Sequence, residues 1–206
     1  MVKKMREFIG YILCGLLNLV IVNKLLCTVK QKDKEISLPK QLNRKENFMI
    51  FLFGIVSFHG FCSDSIIFFL LSVYLSFMAY TDFYTRKVYS AFSYFIFLIG
   101  IFVFISKTQD WERNISWFVF CFILIVFGFI VKAYAFGDVE IYMALSPYYI
   151  TMFLDGMFLF LYGFTLLTAV LTSIRWKPFG VEKTKAIAPV ITFVHFFLTV
   201  VHLLFI

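Results

Sequence analysis

The sequence contains few charged residues and no long polar tract. Only 15% of its 206 residues are Asp, Glu, Lys or Arg, whereas about 25% is usual in soluble proteins. Hydrophobic residues make up 62% of the chain, more than a soluble core of this size can bury. The composition therefore excludes an ordinary soluble domain and a disordered chain, and it indicates that lipid solvates most of the protein.

The sequence also lacks any pair of cysteines at metal-binding or redox spacing. Its four cysteines lie in or near apolar segments, and no Cys-x-x-Cys motif occurs. We therefore predict neither a metal site nor a cofactor. His195 and His202 are seven residues apart, so they share a helix face, but no acidic residue is near them in the sequence. We interpret them as polar contacts between helices.

Long apolar segments follow one another along the whole chain. A membrane-spanning helix needs about 20 apolar residues, and continuous rather than alternating apolar runs disfavour a β-barrel. Pro147 and the pair Asp155-Gly156 break one long segment into a short span and a longer one. We therefore predict one all-α domain over residues 1–206, a polytopic transmembrane bundle of about eight spans. The predicted spans are 8–27, 48–62, 66–81, 89–106, 115–133, 139–153 (the short one), 157–172 and 186–206.

The distribution of basic residues predicts the orientation of this bundle. Cytoplasmic loops of membrane proteins carry an excess of Lys and Arg. With the N-terminus outside, most of the 19 Lys and Arg residues fall in inside segments, including the short polar loop 28–47, although the N-terminus itself is basic. We predict this orientation in a cytoplasmic membrane. We attribute the net charge of +7 to basic residues that set the membrane topology and contact membrane lipid, and not to nucleic-acid binding.

Two of the six aspartates lie at the inner ends of long apolar segments. The predicted topology places Asp82 and Asp138 on one side of the membrane at similar depth. Ionisable residues in or beside hydrocarbon are functional candidates, because a charge there costs about 2.5–3.5 kcal/mol even on lenient scales. Two independent, solvated aspartates would give the same pattern, and that alternative stays open.

A pair of carboxyl groups that share a site can catalyse peptide hydrolysis. Two like charges about 3 Å apart do not both ionise easily, so one group holds a proton while the other stays ionised. The ionised group takes a proton from water, and the protonated group polarises the peptide carbonyl. Gly137, directly before Asp138, lacks a Cβ and permits close approach of the backbone.

At these residues the sequence resembles the type IV prepilin peptidase family, membrane aspartic peptidases that include the preflagellin peptidases. The first family motif is D-x5-I-P. Asp82 fits its aspartate, while Val88 takes the Ile position and Tyr89 takes the Pro position.

The second family motif is G-x-G-D-x-K, followed by an apolar helix. Asp138 fits its aspartate and Gly137 is kept. Ala135 replaces the first Gly and Glu140 replaces the Lys, so the aspartate pair is intact while the residues around it differ.

The resemblance implies an aspartic endopeptidase that removes the basic leader peptide of prepilin-like precursors at the cytoplasmic face of a bacterial membrane. It implies that Asp82 and Asp138 are catalytic, with no covalent intermediate. Members with two activities carry a methyltransferase domain with Cys-x-x-Cys pairs after their first span. Here only the loop 28–47 stands in that place, which implies a peptidase-only enzyme without zinc or S-adenosylmethionine.

Four other residues are candidates for binding or supporting roles. They are Gly137, Glu140, Arg86 and Lys87. We expect Arg86 and Lys87 to orient their loop and contact lipid phosphates, or to lie near the site. Glu140 either receives basic leader residues, sets the electrostatics of the site, or is a solvated residue at a helix start, where acids are favoured.

The aspartate pair is also compatible with a function of another class. In a small membrane transporter or scaffold, Asp82 and Asp138 would bind an ion or a proton. Transporters often contain repeats and helices interrupted near the membrane midplane. We find no repeat, and the two aspartates lie at the membrane edge in the predicted topology, so we favour the peptidase.

Overall fold

A computed structural model describes residues 2–32, 42–59, 61–131, 133, 135–152, 156–176 and 187–205. Within these ranges the chain forms eight α-helices and no strand. This confirms the predicted all-α bundle. The helices are α1 (Val2–Lys32), α2 (Arg44–His59), α3 (Phe61–Thr85), α4 (Ser90–Lys107), α5 (Trp111–Ile130), α6 (Phe136–Met152), α7 (Met157–Trp176) and α8 (Ala188–Phe205).

Four of the described helices, α1, α3, α4 and α5, are long and apolar enough to cross a membrane. The apolar parts of α7 and α8 are shorter, at Met157–Thr168 and Ala188–His202. Many large apolar side chains are exposed on the outer surfaces of the bundle, including Phe102 and Phe160. Exposed apolar surface on this scale is typical of a membrane or binding surface and is unusual in a soluble monomer.

The predicted polar loop 28–47 is shorter than expected. Helix α1 continues to Lys32 and α2 begins at Arg44, while residues 33–41 lie outside the described residues. A capping box explains the start of α2. The Glu46 backbone N–H donates to Asn43 Oδ1 at 2.9 Å, and the Asn43 N–H donates to Glu46 Oε2 at 2.7 Å.

Helix α3 occupies the centre of the bundle. Its residues 71–79 are all buried, and it packs against α1, α2, α4 and α8. These neighbours explain why the middle of α3 is covered by protein, although its length and composition suit a membrane span.

Pro147 lies inside α6 and does not end the helix, contrary to the predicted break. Proline cannot donate a backbone hydrogen bond to the carbonyl one turn earlier, here that of Met143. The Ser146 hydroxyl donates to that carbonyl at 3.0 Å instead. Helix α6 ends at Met152 and α7 begins at Met157, directly after Gly156, whose φ of 82° is readily adopted by glycine.

Candidate active site

Asp82 lies in the last turn of α3, and its side chain is directed at the start of α8. The backbone N–H of Ala188, the first residue of α8, donates to Asp82 Oδ2 at 3.1 Å. Asp82 is only 6% exposed. A helix N-terminus carries partial positive charge, which interacts favourably with a carboxylate.

Asp138 lies in the first turn of α6. The backbone N–H of Ala135, which precedes the helix, donates to Asp138 Oδ2 at 3.0 Å. This is one half of a capping box, in which a side chain in the first turn bonds the N–H before the helix. Asp138 is only 4% exposed. Both aspartates are therefore buried, and each accepts a hydrogen bond from a backbone N–H at a helix start.

The carboxyl group of Asp138 lies within range of the charge of Asp82. Asp138 lies outside the four long apolar helices and precedes the predicted span 139–153. Burial raises the pKa of Asp138 to about 7, the Ala135 hydrogen bond opposes this rise, and the negative charge of Asp82 adds to it. A pKa near neutrality allows the pair to carry one proton and one negative charge at physiological pH.

Direct packing joins the two segments that carry the aspartates. Val88 belongs to the loop after α3, and Gly137 belongs to the first turn of α6. A Cβ added to Gly137 would lie 2.8 Å from Val88 Cγ2, closer than real Cβ contacts allow. A glycine at 137 is therefore required for α6 to begin against the loop that follows Asp82.

Arg86 ends α3 in a left-handed conformation, with a φ of 57°. Its backbone N–H donates to the Asp82 carbonyl at 2.9 Å, and its guanidinium interacts electrostatically with Asp82. The side chain itself is exposed, as is that of Lys87. Glycine is the usual residue in this conformation, because a side chain makes it unfavourable by about 1–2 kcal/mol.

Glu140 is buried, so the interpretation of Glu140 as a solvated residue at a helix start is wrong. It is 7% exposed, although it follows Asp138 by only two positions. Two residues span about 200° around a helix, so Glu140 and Asp138 point to opposite sides of α6. The carboxylate of Glu140 lies within electrostatic range of Tyr74 on α3.

A contact between helices explains His195, as the sequence predicted. The Tyr149 hydroxyl of α6 and His195 Nδ1 of α8 form a buried hydrogen bond of 2.8 Å. In the part of the chain that the structure describes, no group of three or more His, Cys, Asp or Glu residues is arranged to hold a metal.

The contribution of α8 to the site was not predicted from the sequence. The donor is the backbone N–H of Ala188, and a backbone group carries no residue-type signal. Pro189 was the available clue, because proline is frequent in the first turn of a helix and marks where α8 begins.

Comparisons of this chain with protein-family models, with curated proteins and with solved structures give no match.

Proposed function

We propose that this protein is a membrane-embedded aspartic endopeptidase that cleaves the leader peptide of prepilin-like precursors at the cytoplasmic face of a bacterial membrane. One observation carries the proposal. Asp82 and Asp138, from two separate motifs, are both buried and lie close enough for the charge of Asp82 to raise the pKa of Asp138. The local resemblance of these motifs to the prepilin peptidase family supplies the substrate class.

In the proposed reaction the aspartate pair shares one proton and activates a water molecule. The ionised carboxylate accepts a proton from the water, whose oxygen attacks the scissile carbonyl carbon. The protonated carboxyl donates to the carbonyl oxygen as negative charge develops there. The tetrahedral intermediate collapses when the C–N bond breaks, and the leaving amine takes up the proton that the first carboxylate received from water. The second carboxylate takes back a proton from a hydroxyl group of the intermediate, which restores the shared proton of the pair. The reaction needs no covalent intermediate and no cofactor.

The position of the pair suits a substrate that is itself anchored in the membrane. Asp82 lies near the end of a long apolar helix, and Asp138 lies in the first turn of another helix. A precursor with a basic leader followed by an apolar helix would insert that helix into the bilayer. Its scissile bond would then lie at the membrane surface, at the level of the two carboxyl groups.

The test is co-expression of the full chain with a candidate prepilin, with leader removal followed by gel mobility and N-terminal sequencing. Asp82→Asn and Asp138→Asn keep the side-chain size but remove the titrating carboxyl, so each should abolish cleavage. Asp110→Asn is the matched control, because Asp110 caps α5 by accepting from the Arg113 N–H at 3.1 Å and is outside the pair. Cleavage by both site variants would overturn the proposal.

The second candidate, an ion- or proton-binding transporter or scaffold, is favoured by a row of polar contacts along α6. Tyr142 bonds Thr165 of α7, and Tyr149 bonds His195 of α8, on the side of α6 that carries Asp138. Proteoliposomes that contain a pH-sensitive dye would distinguish the two functions. Proton uptake lost in Asp138→Asn, without prepilin cleavage by the unaltered protein, would favour transport.

A further inference from the structure

Glu140 carries a buried carboxyl group that the proposed catalytic pair does not use. Its Oε1 atom is buried, and no hydrogen-bond donor among the described residues reaches it. A buried, ionised carboxylate without a partner is strongly unfavourable. A bound positive charge would compensate this buried oxygen atom.

Two buried hydroxyl groups lie on helices α3 and α4, of which α4 packs along α6. Tyr74 of α3 and Ser93 of α4 form a hydrogen bond of 2.9 Å, and both are fully buried. Glu140 acts electrostatically on Tyr74. Helices α4 and α6 begin side by side, where Gly137 packs against Val88. Ser93, in the first turn of α4, and Glu140, near the start of α6, therefore lie at the same end of this helix pair.

This set of groups suits a cation with a single charge. A carboxylate and hydroxyl oxygens are hard donors, which favour hard cations. One carboxylate neutralises one charge, whereas divalent Ca²⁺ sites usually combine several carboxylates among six to eight oxygen ligands. We propose that Glu140, Tyr74 and Ser93 form a binding site for one monovalent cation between α3, α4 and α6. Binding of an inorganic cation there does not require the proposed peptidase activity.

Two sources can supply this charge. An inorganic ion such as Na⁺ or K⁺ is one, and the side-chain ammonium of a lysine on a bound peptide is the other. Both present a compact positive charge to the Glu140 carboxylate. The experiment therefore uses three probes, NaCl, KCl and n-butylammonium chloride, which mimics a lysine side chain.

The test measures thermal unfolding of the full chain in detergent by circular dichroism. Each probe replaces choline chloride at constant ionic strength, so that general salt effects are held fixed. At ten times the dissociation constant, at least one probe should raise the unfolding midpoint by roughly 3–6 °C. A response to Na⁺ or K⁺ identifies an inorganic ion, and a response to n-butylammonium alone identifies a peptide ammonium.

Variants then assign the response to the proposed residues. Glu140→Gln should abolish it without loss of folding, because a carboxamide has nearly the same volume and no charge. Ser93→Ala keeps the carboxylate but removes one oxygen, and should raise the concentration needed for half the effect several-fold. Ser146→Ala removes a buried hydroxyl of α6 that is not part of the proposed site, and it should leave the response unchanged.

Two results would overturn the cation site. One is an unfolding midpoint that none of the three probes raises. The other is an equal rise in the unaltered chain and in Glu140→Gln. If Ser93→Ala left the half-effect concentration unchanged, the proposed set of oxygen ligands would be wrong.

Discussion

Asp82 and Ala188 are 106 positions apart in the chain and are joined by a hydrogen bond of 3.1 Å from the Ala188 N–H to Asp82 Oδ2. Ala188 is fully buried, so water cannot easily replace the carboxylate as acceptor. The bond attaches the end of α3 to the start of α8. Asp82 therefore has a structural role in addition to the catalytic role that we propose.

This double role predicts different outcomes for two substitutions of Asp82. Asp82→Asn keeps an oxygen that can accept from the Ala188 N–H, so it should fold normally and lose only cleavage. Asp82→Ala leaves that buried N–H without an acceptor, which should lower the free energy of unfolding by about 1–3 kcal/mol. Denaturant unfolding in detergent measures the difference. Equal stability of the two variants would show that the bond contributes nothing.

The raised pKa of Asp138 predicts how the stability of the fold depends on pH. Its pKa is about 7 in the fold, against an ordinary value of 3.8, so the folded chain binds this proton more readily than the unfolded chain. Asp138 should therefore add stability as the pH falls below 7, by about 1.4 kcal/mol per pH unit until pH 4. Above pH 7 its effect on stability is constant.

Asp138→Asn is the matched comparison for this pH dependence, because asparagine does not titrate. Between pH 7 and pH 5, the unaltered chain should gain roughly 2–3 kcal/mol more in unfolding free energy than the variant does. Urea unfolding at the two pH values measures both gains. Parallel pH dependence in the two proteins would mean that Asp138 has an ordinary pKa in the fold.

The helices were largely predictable because the backbone cannot form hydrogen bonds with hydrocarbon. A segment in lipid must satisfy its own N–H and C=O groups, so long apolar runs become helices. The continuation of α6 past Pro147 was not predictable in this way. It depends on a bond from the Ser146 hydroxyl to the Met143 carbonyl, a detail that apolar periodicity does not contain.

The candidate site was predictable in part. Asp82 and Asp138 could be selected because each is an ionisable residue at the end of an apolar segment. The burial of Glu140 could not, because it depends on how other helices, chiefly α4, pack against α6. The position of Glu140 in the sequence indicated a solvated residue at a helix start. Packing by helices that are distant in the sequence buries its side chain instead.

The left-handed backbone of Arg86 predicts that glycine at this position stabilises the fold. Glycine adopts a φ of 57° without the steric cost that a side chain brings. Arg86→Gly should raise the free energy of unfolding by about 1 kcal/mol relative to Arg86→Ala. Both variants lose the guanidinium, so the comparison isolates the backbone. A glycine variant less stable than the alanine variant would contradict this account.

The contact between Gly137 and Val88 predicts that alanine at 137 is damaging. The added Cβ would lie 2.8 Å from Val88 Cγ2 and 2.9 Å from Val88 Cβ, so α6 must shift away from the loop after α3. We expect Gly137→Ala to lower the free energy of unfolding by about 1–3 kcal/mol, as overpacking usually does. Cleavage should fall as well, because the shift moves Asp138 relative to Asp82.

Gly163 provides the control for this substitution. It lies within α7, and a Cβ added there meets nothing within 4 Å. Gly163→Ala should therefore be neutral or slightly stabilising, since alanine favours helix more than glycine does. Val88→Gly combined with Gly137→Ala should recover much of the lost cleavage, because it removes both clashing carbons. If the double variant cleaves no better than Gly137→Ala alone, the loop after α3 is not what positions Asp138.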